Sequence, residues 1–147
     1  MDADIFTPDA VRSLDGPAWL QQRRLDALQV AAALPVPSTS LEEWRYGRID
    51  ELDLSRFNAP VTAIDGEPPL AATVRSELGE LSGYVVMRNG RVVAEHLDPA
   101  VAGQGVSFGS LGTVGEQAAS VLGAGAPTPV DRFAAYNDAL AADPVVL

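Results

Sequence analysis

The side chains best suited to catalysis in this sequence are a histidine and a nearby carboxylate. His96 is the only histidine, and Asp98 follows two residues later. A histidine oriented by a carboxylate can act as a general base. The alternative is an exposed histidine at the end of a strand, with no chemical role. We favour this second interpretation, because no serine or second base accompanies the pair in a recognisable motif.

Three further groups of residues could in principle bind a metal or a cofactor. Asp50, Glu51 and Asp53 could supply oxygen ligands, but they lack the spacing and turn glycine of an EF-hand loop and fit a solvated face better. Residues 103–109, GQGVSFG, contain neither a G-x-G-x-x-G motif nor a following lysine, so their glycines indicate turns. The chain has no cysteine, which excludes disulfides, thiolate nucleophiles and thiolate-held clusters.

These observations predict no catalytic, cofactor-binding or metal-binding residue in this segment, and therefore no enzyme. A small hydrolase that uses an Asp or Glu with His96 is the least favoured alternative. The net charge is −10, and all ten basic residues are arginines. This balance argues against binding to nucleic acid or to an anionic membrane surface. The N-terminus is acidic and interrupted by Pro8, unlike a signal peptide, so we expect a cytoplasmic protein.

The first structural region predicted is a helical arm over residues 1–57. A helix is expected over about 17–34, capped by Asp15 and stopped by Pro35. Its apolar residues recur at helical spacing. They are Leu20, Ala27, Leu28, Ala31 and Leu34.

A second, shorter helix is predicted over about 40–47, within the stretch SLEEWRYGRID. Ser40 and Glu43 have the S-x-x-E spacing of a capping box. Trp44 is then expected to pack on the first helix near Leu20, Ala27 and Ala31, as an anchor between two helices. The alternative is an exposed interaction residue.

Residues 58–82 are expected to form a linker or irregular crossing, within which residues 71–78 could form a short helix. Residues 83–97, GYVVMRNGRVVAEHL, predict a β-hairpin with a two-residue turn at Asn89-Gly90. The predicted register places Met87 opposite Val92, Val85 opposite Ala94, and Val86 opposite Val93. The first two pairs share one apolar face, which should meet the core.

A third strand over 105–111 and two helices complete the predicted region 83–143. One helix is expected to open at a Thr113–Glu116 capping box and to reach about Leu122, and the other to start at Asp131. Residues 144–147 look like the start of a following domain that is cut short. The fold class predicted is α+β.

Several stretches, in order, resemble one family. The segment GPAWLQQRRLDALQVAAALPVPSTSLEEWRYGRIDELDL is similar to the N-terminal region of the SufB/SufD family of iron–sulfur cluster assembly proteins, and of SufD in particular. The segments VVMRNGRVVAEHLDPAVAGQGVSFGSL and DRFAAYNDALAADPVVL resemble the same family's hairpin and the stretch before its core. Tyr136 and Pro144 depart from the family's usual leucine and glycine.

The resemblance implies a scaffold subunit that pairs with SufB-like and SufC-like subunits, the latter an ATPase. It implies a β-helix core and a helical ATPase-docking domain beyond this segment, together with the family's cluster-linked residues. Only one signature is carried over, with a structural or an interface role: Glu42, Glu43, Trp44, Arg45 and Tyr46. Two functions remain open: a non-catalytic SufD-like scaffold domain, or a free-standing adaptor unrelated to clusters.

Overall fold

The computed structural model describes residues 5–57, 66–125 and 128–147. The chain divides into two compact units. The helical unit comprises Met1–Val61 and Ala126–Ala141, and the hairpin unit comprises Thr62–Gly125 and Ala142–Leu147. The described residues form helices and small antiparallel sheets, which confirms the α+β class.

The elements of the described residues follow one another in this order. The helices are α1 (Pro8–Arg12), α2 (Ala18–Ala33), α3 (Pro69–Leu78), α4 (Pro99–Ala102), α5 (Leu111–Val114), α6 (Ala118–Val121) and α7 (Arg132–Ala139). The strands are β1 (Gly83–Arg88), β2 (Arg91–Leu97), β3 (Gly109–Ser110) and β4 (Val145–Val146). Single turns of 3-10 helix occupy Glu42–Trp44, Ile49–Glu51, Leu54–Arg56 and Gly115–Gln117.

The first long helix forms where it was predicted, but its cap is different. Pro17 is the N-cap residue and its carbonyl accepts from the N–H groups of Leu20 and Gln21, so Asp15 lies too early in the chain to cap α2. The helix ends at Ala33, and the C-cap residue Leu34 takes an extended conformation (ψ 148°) before Pro35. This geometry is the usual consequence of a following proline.

The core of the helical unit lies between α2 and α7. One cluster joins Val11 of α1 to Ala27 and Ala139, and a second joins Ala31 to Ala135 and Tyr136. Small side chains at the contact allow the two helix backbones to approach closely. The sequence grouped the helix after Asp131 with the hairpin, whereas the structure places α7 in the helical unit.

The predicted helix over 40–47 does not form. The Ser40 hydroxyl lies 2.6 Å from the Ser38 hydroxyl and caps no helix, and only the 3-10 turn Glu42–Trp44 is present. The N–H of Gly47 donates to the Trp44 carbonyl at 2.9 Å and closes the next turn. A helix of two turns barely offsets the cost of its own nucleation, so local side-chain bonds decide this conformation.

The hairpin β1–β2 forms with the predicted turn. Asn89 and Gly90 both have positive φ, 50° and 77°, as a two-residue hairpin turn of this kind requires. Met87 lies opposite Val92, as predicted, but Val86 lies opposite Ala94. Because of this irregularity, Val85 pairs with Glu95, and the predicted pairs Val85–Ala94 and Val86–Val93 are wrong.

The residues after the hairpin differ most from expectation. The predicted third strand shortens to β3, which pairs with β4 instead of extending the hairpin. The predicted helix from Thr113 is broken into α5, a 3-10 turn and α6, because Gly115 has a positive φ of 72°. Within the predicted linker, residues 58–65 lie outside the described residues, and α3 occupies most of the rest.

The two units differ in what they bury. The described residues of the helical unit bury side chains as large as Leu14 and Leu20, whereas in those of the hairpin unit the only buried hydrophobic residues are Ala118, Ala142 and Val146. No helix in the described part of the chain is long and apolar enough to cross a membrane.

Candidate interaction surface

The signature segment, residues Glu42–Tyr46, is built around one anchored tryptophan. The Trp44 ring meets the Phe133 ring of α7 edge to face, with centroids 5.5 Å apart and planes at 81°. This is a favourable geometry for two aromatic rings. A Cβ added at Gly47 would lie 3.3 Å from the Trp44 carbonyl oxygen, so this position favours glycine. The prediction placed Trp44 against α2, whereas its aromatic partner, Phe133, belongs to α7.

The other four residues of the signature segment are exposed to solvent. Tyr46 is 90% exposed. The Arg45 guanidinium lies 5.9 Å from the centroid of the Tyr46 ring and 3.2 Å from a Glu42 carboxylate oxygen. An exposed tyrosine beside an arginine and two glutamates offers both apolar area and charge to a partner.

The loop that follows the signature segment is held by short polar contacts. The Thr39 hydroxyl donates to Asp50 at 2.9 Å, and Arg48 donates through two nitrogens to Glu51. The hydrogen bond to Glu51, partly offset by desolvation, raises the pKa of Arg48 above its ordinary value. These contacts, together with Leu54 against the Ala31–Ala135–Tyr136 cluster, hold a loop whose only regular elements are single 3-10 turns.

His96 and Asp98, the two residues considered for catalysis, have separate surroundings. His96 is exposed, with its ring centroid 5.6 Å from that of Tyr84. The Asp98 carboxylate accepts from the backbone N–H of Ala100 at 2.7 Å and caps α4. Because the Asp98 carboxylate caps α4, this hydrogen bond does not orient His96 for catalysis. Across residues 5–57, 66–125 and 128–147, no three metal-ligating side chains gather into one site.

Comparison with known proteins identifies the family. The family model described as the SufBD protein N-terminal region matches residues 10–147, nearly the whole chain. This chain belongs to the SufB/SufD family. The search of the curated proteins finds no match, and neither does the search of the solved structures.

Membership in the SufB/SufD family places the chain among proteins of iron–sulfur cluster assembly. The signature segment lies inside the matched residues, so its geometry describes a part of the family's N-terminal region. The family model does not distinguish SufB from SufD.

The first of two structural residues that sequence reasoning missed in this SufB/SufD-family chain is Arg24. Its side chain is fully buried, and its guanidinium donates to the carbonyl of Ala141 at 2.9 and 2.7 Å and to that of Asp15 at 2.8 Å. It therefore ties α2 both to the chain after α7 and to the turn before α2. The available signal was its position, because Arg24 falls between Leu20 and Ala27 on the buried stripe of α2.

A second missed residue, Glu95, connects β2 to the β3–α5 segment. Its carboxylate accepts from the N–H of Ser110 at 2.6 Å, from the Ser110 hydroxyl at 3.0 Å and from the Thr113 hydroxyl. Burial by itself raises the pKa of Glu95, but these three hydrogen bonds outweigh it and hold the pKa below the ordinary value. The Thr113 hydroxyl therefore donates to Glu95 and does not form the predicted capping box.

Gly109 is needed for that connection. Its φ is +145°, and a Cβ at this position would lie 2.8 Å from a Glu95 carboxylate oxygen. The backbone can approach the carboxylate so closely only because residue 109 has no side chain. Residues 103–109, which the sequence predicted to form turns, therefore include the glycine that lies against the Glu95 carboxylate.

Proposed function

We propose that this chain is the non-catalytic N-terminal domain of a SufD-like scaffold subunit in iron–sulfur cluster assembly. Its contribution is a binding surface, and it supplies no group that reacts with iron, sulfide or ATP. The observation that carries the proposal is the contrast within the signature segment. Trp44 is anchored on Phe133, while the adjacent Tyr46 is 90% exposed. An anchored segment that presents a solvated aromatic ring suits recognition better than core packing.

The chemistry of the chain supports a role without catalysis. The sequence has no cysteine and one histidine, so a cluster would lack the thiolates that usually hold it. The proposed partners are the SufB-like and SufC-like subunits of a cytoplasmic assembly complex, reached through the full-length protein. Family membership favours this function over an adaptor unrelated to clusters.

Binding to the purified SufB-like subunit of the same source, measured by calorimetry, tests the proposal. Tyr46→Ala should weaken binding about tenfold or more, the range expected for an aromatic interface anchor. The same variant should keep the parent melting temperature, because Tyr46 buries little surface within the chain. A matched control, Val130→Ser, alters another residue that is 90% exposed and should change neither quantity.

Three results would contradict the proposal. The first is that the parent chain does not bind the SufB-like subunit, and the second is that Tyr46→Ala binds it as tightly as the parent does. The third concerns the cluster itself. After anaerobic incubation with iron and sulfide, the chain should show no stoichiometric charge-transfer absorbance after desalting, and such bands would indicate that it holds a cluster.

A further inference from the structure

The helix α3 of the hairpin unit carries an uncovered apolar row. Leu70, Val74 and Leu78 are 71%, 43% and 62% exposed. They lie four residues apart, so they share one face and form a row about 12 Å long. We call these three residues the α3 stripe. Single exposed hydrophobic residues are ordinary on a protein surface, but a contiguous row indicates a contact surface.

Another side of α3 packs against the β1 strand of the same unit. The Arg75 guanidinium lies 4.4 Å from the centroid of the Tyr84 ring in β1 and forms a two-nitrogen ion pair with Glu67. The side chains of this pair are about three-quarters buried, so the contact is shielded from solvent. The helix is thus held through Arg75, while the α3 stripe stays exposed.

Negative charge gathers at one end of the α3 stripe. Glu77 and Glu80 are exposed beside the C-terminus of α3, and no described residue forms an ion pair with either. The C-terminus of a helix is itself the negative end of its dipole, so these carboxylates repel it instead of compensating it. The positive charge of Arg75 is already paired with Glu67. A cation from outside the chain would relieve this repulsion.

We infer that the α3 stripe is a docking surface for an amphipathic helix of a partner protein with lysine or arginine beside its apolar row. A row spaced by four residues is the ridge that a second helix accepts between its own side chains. The uncompensated carboxylates select a basic partner. A second copy of this chain is a poor occupant, because each copy carries a net charge of −10. The inference concerns a surface separate from the signature segment and does not depend on the proposed function.

The test uses the full chain and three synthetic helical peptides labelled with a fluorophore. The first peptide has leucines along one face and lysines beside them. The second keeps the lysines but has serines in place of the leucines, and the third keeps the leucines but has glutamates in place of the lysines. We expect the first peptide to bind at least about tenfold more tightly than either of the others, as read by fluorescence anisotropy.

Variants of the chain assign the binding to the α3 stripe. Combined Leu70→Ser, Val74→Ser and Leu78→Ser should abolish binding of the first peptide, and their exposure predicts little change in folding. Combined Glu77→Gln and Glu80→Gln should weaken binding and reduce its dependence on ionic strength. Combined Val36→Ser and Val130→Ser is the matched control, because these residues are exposed and belong to the helical unit. It should bind as the parent does.

Several outcomes would overturn the inference. Equal binding of the first two peptides would mean that charge alone attracts them, and equal binding of the first and third would remove the need for a basic partner. The inference is also wrong if no peptide binds. It is wrong too if the stripe variant still binds the first peptide while circular dichroism shows that the variant is folded. A chain that dimerises in sedimentation, with the dimer lost in the stripe variant, would show that a second copy occupies this surface.

Discussion

The helical unit and the hairpin unit are stabilised by different interactions. In the helical unit, α2 and α7 pack around buried aliphatic side chains, and Arg24 fills the same interior with its charge satisfied by backbone carbonyls. In the hairpin unit, the described elements are joined by polar contacts at the surface or partly below it, notably Glu95 with Ser110 and Arg75 with Glu67. A two-stranded hairpin has little stability by itself, so these contacts carry much of the fold there.

The difference has a consequence for function. Hydrophobic burial is the main source of folding free energy, and a unit that buries few apolar side chains leaves apolar surface for other proteins. The α3 stripe is such a surface in the hairpin unit. In the helical unit the candidate contact surface is the signature segment, where the Trp44 ring packs on Phe133 and the Tyr46 ring is exposed to solvent. We therefore expect substitutions in the two units to differ in their effects on stability.

The largest effect should come from Arg24→Met. The substitution keeps an unbranched apolar stem but leaves the partly buried carbonyls of Ala141 and Asp15 without this donor. We expect a loss of about 3–5 kcal/mol in the free energy of unfolding. Urea unfolding followed by tryptophan fluorescence measures it, since both tryptophans, Trp19 and Trp44, belong to the helical unit.

The adjacent arginine provides the control for Arg24→Met. Arg23 pairs with Asp138 at 3.2 Å, and both side chains are about one-third exposed. Arg23→Met should cost less than about 1 kcal/mol, as is usual for a solvated ion pair. Similar losses for the two variants would show that the burial of Arg24 does not increase its contribution to the free energy of unfolding.

The second largest effect should come from Trp44→Ala. Full burial of a tryptophan would predict a loss of about 3–5 kcal/mol, but Trp44 is only half-buried against Phe133, so we expect roughly 2–3 kcal/mol. Thermal melting of the chain measures the loss. A variant that melts like the parent yet no longer binds the SufB-like subunit would show that Trp44 acts at an interface instead.

A smaller and pH-dependent effect is expected from Glu95→Gln in the hairpin unit. The amide keeps one acceptor oxygen, so we expect a loss of about 1–2 kcal/mol at neutral pH. Because the folded state lowers the pKa of Glu95, its contribution is full above the ordinary glutamate pKa of about 4.3 and is lost as the pH falls through the lowered value. Far-UV circular dichroism melts should therefore separate parent and variant above about pH 5 and converge in acid. A gap that does not narrow would contradict this assignment.

The smallest effect is expected at the next residue. His96 is exposed and its neighbour Asp98 is used as a cap, so His96→Ala should change stability by less than about 0.5 kcal/mol. It should also leave cluster assembly by the full-length protein unchanged. A marked loss of stability would show a structural role for His96, and a marked loss of cluster assembly would show a chemical one.

The sequence predicted the features that local chemistry decides. The long helix α2, the turn at Asn89-Gly90 and the start of a helix at Asp131 each depend on residues close together in the chain, and all three are present. The predicted capping boxes at Ser40 and Thr113 were wrong, because the two hydroxyls form hydrogen bonds with other side chains. Ser38 contacts the first, and Glu95, eighteen residues away, accepts from the second.

The site was predicted less completely than the fold. The sequence identified the signature segment and expected Trp44 to be an anchor, but it could not name Phe133, which is 89 residues further along the chain. Arg24 and Glu95 were missed for a related reason. A charged side chain inside an apolar pattern has no predictable partner until the tertiary structure brings distant carbonyls or hydroxyls to it.

Amide hydrogen exchange of the full chain tests most directly the claim that the helical unit is the stable core and the hairpin unit is held by polar contacts. Amides of α2 between Leu20 and Ala31 should exchange most slowly, through global unfolding. Amides of the β1–β2 hairpin should exchange at least about tenfold faster, through a local opening that costs at least about 1.4 kcal/mol less. Hairpin amides protected as strongly as those of α2 would contradict the account.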